Sequence, residues 1–178
     1  MTLFTIGHGT SERVAFTAWL DGAGIRALAD VRRFPGSRRW PWFNADEMAR
    51  WVPAAGIVYR PEPELGGRRR PRPDSVNVAL REPGFRAYAD YMATEPFRAA
   101  LDALLARAAD APTAVMCSET VWWRCHRRLI ADAATLLHDV DVVHLVAGMP
   151  QSHRPTRGVR VADGVLVYDV VDELPVSP

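Results

Sequence analysis

Short β-rich runs alternate with amphipathic helical patterns along the whole chain, and this alternation constrains the fold more than any other feature. TLFTI (residues 2–6) reads as a first strand. Phe16, Trp19, Leu20 and Ala23 then fall at i, i+3, i+4 and i+7, the buried stripe of a helix. Thr10 or Ser11 is suited to cap its start and Gly24 its end. RALADV (residues 26–31) is a second strand, and the loop RRFPGSRRWPWF follows it. Asn44 with Glu47 three residues on has the form of a capping box. The helix it opens carries Met48, Trp51, Val52 and Ala55 on one face and stops at Gly56, before a short third strand over 57–60.

Residues 61–84 form a long connection rich in Pro, Gly and Arg, a kind of loop that is often functional or mobile. FRAYADYM and PFRAALDALLARAA are helical, the second with Pro96 in its first turn. TAVM, a helix after Cys125, and VDVVHLV (residues 140–146) make a further strand–helix–strand unit. In the tail, Asp163-Gly164 sits between alternating runs and marks a β-hairpin over 158–172. This order predicts a single α/β domain over residues 1–178. Its form is a Rossmann-like three-layer sandwich with a mainly parallel sheet, helices on both faces and a C-terminal β-hairpin. Parallel strands deliver their C-terminal ends to one edge, so His8, Asp30, Arg32, Arg60, Cys117 and His144 are expected near it.

Composition narrows the class. A chain of 178 residues, 48% apolar and 24% charged, can bury a core without disulfides or metals. No apolar stretch approaches the roughly 18–20 residues a membrane span needs. Met1 runs directly into the first strand, so a cytoplasmic protein is expected. The net charge of +1 gives no global attraction to nucleic acid, yet all 22 basic residues are arginine. Clustered guanidinium groups grip phosphate or carboxylate bidentately at any physiological pH.

The chemistry-bearing groups concentrate in CSETVWWRCHRR (residues 117–128), where a strand ends and a helix begins. Cys117 and Cys125 are the only cysteines. Cys117 suits a small buried position, whereas Cys125 and His126 fall near a helix N-terminus that favours a thiolate. The spacing Cys-x7-Cys-His is not that of a structural zinc site, and no metal ligands are assigned. Trp123 occupies the place where a phosphatase loop of the Cys-x5-Arg type closes on arginine, with Arg124 one residue late. Asp30 and Glu119 are the carboxylates best placed for acid–base work, with His8 and His126 able to exchange protons. GSRR and GGRRR combine permissive backbone with positive charge, which makes Arg32, Ser37, Arg38, Gly66, Gly67, Arg68, Trp123 and Arg127 candidate substrate-binding residues. Trp40, Trp42, Phe43, Trp122 and Trp123 flank these loops and could stack on bases. Neither glycine motif fits a Walker or dinucleotide fingerprint.

TIGHGT, LADVRRFPGSRR, LGGRRRPRPDS, FRAYADYM and CSETVWWRCHRRLIAD together resemble the DUF488 family, a domain of unknown function, from Thr5 to about His144. Asp-Val-Arg and Cys-x-Glu-x5-Cys-His-Arg recur as signatures in that family. They map to Asp30, Val31 and Arg32, and to Cys117, Glu119, Cys125, His126 and Arg127. Val121-Trp122 stands where many members carry Asp-Pro, which resembles the Trp-containing branch. The resemblance implies an α/β fold and supports the site, without implying a reaction.

These residues lead to an expected enzyme, carboxylate-assisted and hydrolase-like, with an anion-binding site at the C-terminal edge of the sheet. A phosphate-bearing small molecule, a nucleotide or a nucleic acid is the expected ligand. One alternative is a thiol- or metal-dependent site built on Cys117, Cys125 and His126. Another is a nucleic-acid-binding module without catalysis. Cofactor and oligomeric state are left open.

Overall fold

The computed structural model describes residues 1–171. Six strands form one sheet in the order β3-β2-β4-β1-β5-β6, of which only β6 is antiparallel to its neighbour. The chain runs β1 (Thr2–Gly7), α1 (Arg13–Gly22), β2 (Ala27–Asp30), α2 (Ala45–Ala54) and β3 (Val58–Pro61). It continues through α3 (Pro83–Met92), α4 (Glu95–Asp110), β4 (Thr113–Cys117), α5 (Arg127–His138), β5 (Asp141–Val146) and β6 (Met149–Ser152). A separate hairpin of β7 (Val159–Ala162) and β8 (Val165–Tyr168) closes the described fold. The predicted class therefore holds. The expected hairpin ran to residue 172, which lies outside the described residues.

The period-two alternation of the strands explains the two cores. Leu3, Val115 and Cys117 face one side with Leu101, Leu104 and Leu129 from α4 and α5. Ile6, Leu28, Ala114 and Met116 face the other, against Phe16 and Leu20 of α1 and Met48 and Val52 of α2. Both faces of the central strands are buried, as a parallel sheet requires. Register then fixes the site: Gly7 lies opposite Cys117, and Asp30 opposite Met116, so β1, β2 and β4 end together.

Local details differ from the expected caps. Glu12, rather than Thr10 or Ser11, is the N-cap of α1 and makes no side-chain cap bond. Ser11 is already committed, its hydroxyl donating to the His8 carbonyl at 2.5 Å. Asn44 does cap α2, but its side-chain oxygen accepts the Ser37 amide at 2.5 Å instead of a helix N–H. That bond closes the GSRR loop. Asp163 and Gly164 take φ of 50° and 76°, the left-handed pair that a tight hairpin turn needs.

The 61–84 connection is not structureless. Pro63–Leu65 form a 3-10 turn, and Arg69 donates to the carbonyls of Pro63, Glu64 and Gly66 while lying 3.5 Å over the Tyr91 ring. Ser75 and Asn77 both donate to Asp90 on α3 at 2.8 Å. No helix among the described residues is long and apolar enough to cross a membrane.

Candidate functional site

A cleft of about 1250 Å³ opens beyond the C-terminal ends of β1, β2 and β4, where the crevice of an open α/β sheet takes its ligands. Eight arginines line it against two carboxylates, Glu82 and Glu119. Of the expected residues, His8, Arg32, Cys117, Glu119, Cys125 and His126 line the cleft, as do Ser37, Gly67, Arg68 and Trp123. Asp30, Arg38, Gly66 and Arg127 are not on its surface, although Asp30 and Arg127 support residues that are.

Asp30 is 1% exposed and both its carboxylate oxygens are occupied. Oδ1 accepts from the Arg32 amide and Nε, at 3.1 and 2.8 Å, while Oδ2 accepts from the Arg32 guanidinium at 2.7 Å and the Tyr59 hydroxyl at 2.6 Å. Burial, together with the Asp30 charge, raises the Tyr59 pKa, which keeps that hydroxyl a donor. The remaining Arg32 nitrogen lies 3.2 Å from His8 Nε2. Because His8 Nδ1 is 3.0 Å from the Gly9 carbonyl, Nδ1 carries the proton and Nε2 accepts from Arg32. Burial and the Arg32 charge push the His8 pKa down to about 4, so the ring is neutral, stacked 4.1 Å from Phe43. Asp30, Arg32, Tyr59 and His8 are thus a locked set. Glu119 differs: it is exposed, and among the described residues its carboxylate accepts only from the Val121 amide, at 3.3 Å.

The floor is made by the turn after β4. A 3-10 turn over Trp122–Arg124 folds the chain back so that Cys117 Sγ and Cys125 Sγ come within 2.7 Å. Both are free thiols, 2% and 6% exposed. His126 Nδ1 lies 3.5 Å from the Cys125 sulfur. Burial raises the Cys117 pKa. At Cys125 burial also raises it, but the Cys117 hydrogen bond, His126 and Arg127 outweigh that and draw it well below an ordinary thiol. The pair therefore holds its charge on Cys125, with the Cys117 thiol donating to it. Among the described residues no three His, Cys, Asp or Glu side chains converge to hold a metal ion.

Arg127 is 1% exposed and has no carboxylate partner among the described residues. It donates to the Glu119 carbonyl and to Thr5 Oγ1 (3.4 Å), leaving Nε without a partner. Gly7 admits this crossing, since a Cβ there would overlap the Glu119 carbonyl and the Arg127 guanidinium. Thr5 begins a buried relay that the sequence reading missed. Its hydroxyl donates to His144 Nδ1 at 2.6 Å, His144 Nε2 donates to His153 Nδ1 at 3.0 Å, and His153 Nε2 donates to Asp132 at 2.9 Å. Every donor in that chain meets one acceptor. Burial and His153 hold the His144 pKa down to about 3. Trp122 stacks on His144 at 4.0 Å and 7°, pinning the turn to β5.

The aromatic residues divide. Phe43 is fully buried, and Trp42 donates its indole N–H to the Ser11 carbonyl, so these two pack rather than stack on a ligand. Trp123, 48% exposed, stands at the mouth, joined by the unforeseen Phe34 at 65%, which lies beneath the Arg33 and Arg68 guanidinium groups. The glycines of GGRRR serve close packing: a Cβ on Gly66 would strike Arg33, and one on Gly67 would sit 3.1 Å from His126 Nδ1. On the far wall Arg128 belongs to the expected 117–128 segment, whereas Arg154, Thr156 and Arg157 were not foreseen.

A family model for DUF488, a domain of unknown function, matches residues 12–134. The chain belongs to the DUF488 family. The matched span holds Asp30, Arg32 and the whole Cys117–Arg127 turn, while His8, Arg154 and Arg157 lie outside it. No curated protein and no solved structure matches the chain.

Proposed function

We propose that this DUF488 protein is a cytoplasmic hydrolase acting on a phosphate-bearing substrate of nucleotide or nucleic-acid type held in the arginine-lined cleft. The observation that carries this reading is unbalanced charge. Arg33, Arg68, Arg81, Arg124, Arg128 and Arg154 all line the cleft, come from well-separated parts of the chain, and form no ion pair among the described residues. Among the described residues, three of the five buried polar side-chain atoms without a partner, His126 Nε2, Arg128 Nε and Thr156 Oγ1, also belong to cleft residues. Buried donors are normally satisfied, so a wall of unsatisfied ones favours a ligand that supplies acceptors. Phosphate oxygens do this, and the exposed rings of Trp123 and Phe34 offer faces for a base.

Of the two candidate carboxylates, Glu119 is the one able to activate water, because Asp30 is consumed in orienting Arg32. His126, with an unpartnered Nε2, is suited to return the proton to the leaving group. The volume of about 1250 Å³ accommodates a nucleotide or a short nucleic-acid segment.

A panel of nucleotides, nucleosides and single-stranded oligonucleotides tests this by release of base, sugar or phosphate. Turnover on a phosphate-bearing member is expected, with Glu119→Gln lowering kcat by about 10²-fold or more and Arg128→Gln raising KM. Binding without turnover, unaffected by Glu119→Gln, would favour the non-catalytic nucleic-acid module.

A further inference from the structure

The mechanism above makes no use of the most unusual pair of atoms in the cleft, the two sulfurs 2.7 Å apart. Non-bonded sulfurs ordinarily sit farther apart than that, and two buried thiols need not meet at all to fill a core. Here the register of β4 points Cys117 into the α4–α5 face, and the 3-10 turn returns Cys125 to it eight residues later. The sequence separation is short, the sulfurs face one another, and both residues line the cleft rather than a sealed interior.

Arg127 supplies the second observation. A guanidinium 1% exposed, with carbonyl and hydroxyl acceptors but no carboxylate among the described residues, needs a counter-charge nearby. Burial opposes the Arg127 charge, and the neighbouring Cys117 and Cys125 offset that and hold it protonated. His126 adds a ring nitrogen 3.5 Å from the Cys125 sulfur. A thiolate held by a cation, beside an imidazole and a second thiol, is the arrangement of an oxidisable dithiol rather than of two packing residues.

We propose that Cys117 and Cys125 form a redox-active dithiol in the cleft floor, in which Cys125 attacks a small hydroperoxide and Cys117 resolves the product to a disulfide. The Cys125 thiolate attacks the distal peroxide oxygen and the O–O bond breaks. The departing oxygen takes a proton from water or His126 and leaves as an alcohol, or as water when hydrogen peroxide reacts. Cys125 is then a sulfenic acid. Cys117 gives up its proton, its sulfur attacks that of Cys125, and the S–O bond breaks to release water. Two thiols are oxidised by two electrons in all, and the peroxide is reduced by two. With Cys117 and Cys125 only 2% and 6% exposed, a small peroxide fits the approach better than a bulky disulfide. This inference uses the floor of the cleft and stands apart from anion binding by its walls.

The reduced full-length protein is treated with hydrogen peroxide, denatured, reacted with N-ethylmaleimide and peptide-mapped. The expected result is no maleimide uptake, a Cys117–Cys125 cross-link, and recovery of both thiols with dithiothreitol. Both thiols still alkylating, or Cys125 proceeding to sulfinic acid with Cys117 free, would overturn the proposal. In Cys117→Ser a dimedone probe should capture sulfenic acid on Cys125, while in Cys125→Ser the remaining thiol should stay unreacted; the opposite pattern would overturn the assigned roles. The wild-type experiment needs neither variant to fold. Nucleotide binding by the reduced protein is read separately, so failure here and failure of the anion reading are distinguishable.

Discussion

Asp30 and Glu119 share a formal charge and an edge of the sheet, yet their surroundings give them opposite roles. Asp30 is a buried ion-pair partner whose loss strands the Arg32 guanidinium. Asp30→Asn is therefore expected to lower stability by about 3 kcal/mol, since breaking a buried pair leaves an uncompensated charge. Glu119→Gln, at an exposed position with one weak bond, should stay within about 0.5 kcal/mol of wild type. Urea titrations of both variants check this, and equal losses would contradict it. The histidines make a pH statement. His8 and His144 titrate near 4 and 3 in the fold, against an ordinary 6.5, because burial opposes their charge. The unfolded chain takes up these protons first, so their contribution is complete above pH 6.5 and lost as pH falls toward 4. The free energy of unfolding should drop from neutral pH to about pH 4.5, at a rate on the order of 1.4 kcal/mol per pH unit for each histidine. A flat profile would contradict it. The sequence named Asp30, Glu119 and His8 correctly as edge residues. Their roles depended on whether Tyr59 and Arg32 reached the Asp30 carboxylate, which spacing along the chain cannot encode.

At the level of elements, two segments decide the shape of the site. The turn after β4 carries Cys117 at one end and Cys125 at the other, and its fold-back was not legible from Cys-x7-Cys. It depends on Trp122 stacking on His144 of β5, a contact with a strand more than twenty residues away in the chain. Gly7 is part of the same arrangement, and Gly7→Ala should cost several kcal/mol or prevent folding, because β1, the Glu119 carbonyl and Arg127 cannot all stay in place. The second segment is the 61–84 connection. Its composition reads as a loop, but the anchors that order it are single contacts: Arg69 over Tyr91, and Tyr88 donating to the Leu65 carbonyl at 2.6 Å. Arg69→Ala should speed amide exchange over residues 63–70 while leaving the strands protected. Unchanged exchange would show that the loop is held elsewhere. The hairpin was foreseen because Asp163-Gly164 carries its signal locally. Strand β6, Met-Pro-Gln-Ser with all four residues exposed, carries no such signal, and pairing with β5 alone makes it a strand. With β6 missed, the arginines that follow it could not be placed in the cleft.

For the whole molecule, alternation of strands and helices was enough to foresee a mainly parallel sheet with helices on both faces, and parallel topology alone was enough to place the site at one edge. Net charge hid the property that matters most. A balance of +1 over the chain coexists with a cleft lined by eight arginines and two carboxylates, because nearly all the acidic residues lie away from the cleft lining. Such a site should bind anions with an affinity that falls as salt rises, whatever the overall charge. The direct measurement is a fluorescence titration of reduced protein, following tryptophan emission to which the cleft residues Trp40, Trp122 and Trp123 contribute, with a nucleoside diphosphate and with a short single-stranded oligonucleotide, at low and high salt. Saturable binding of at least one ligand, weakened by salt and by at least about tenfold in an Arg128→Gln, Arg154→Gln double variant that still folds, is the expected result. No binding to wild type, or binding that the double variant retains in full, would contradict the account of the cleft as an anion site.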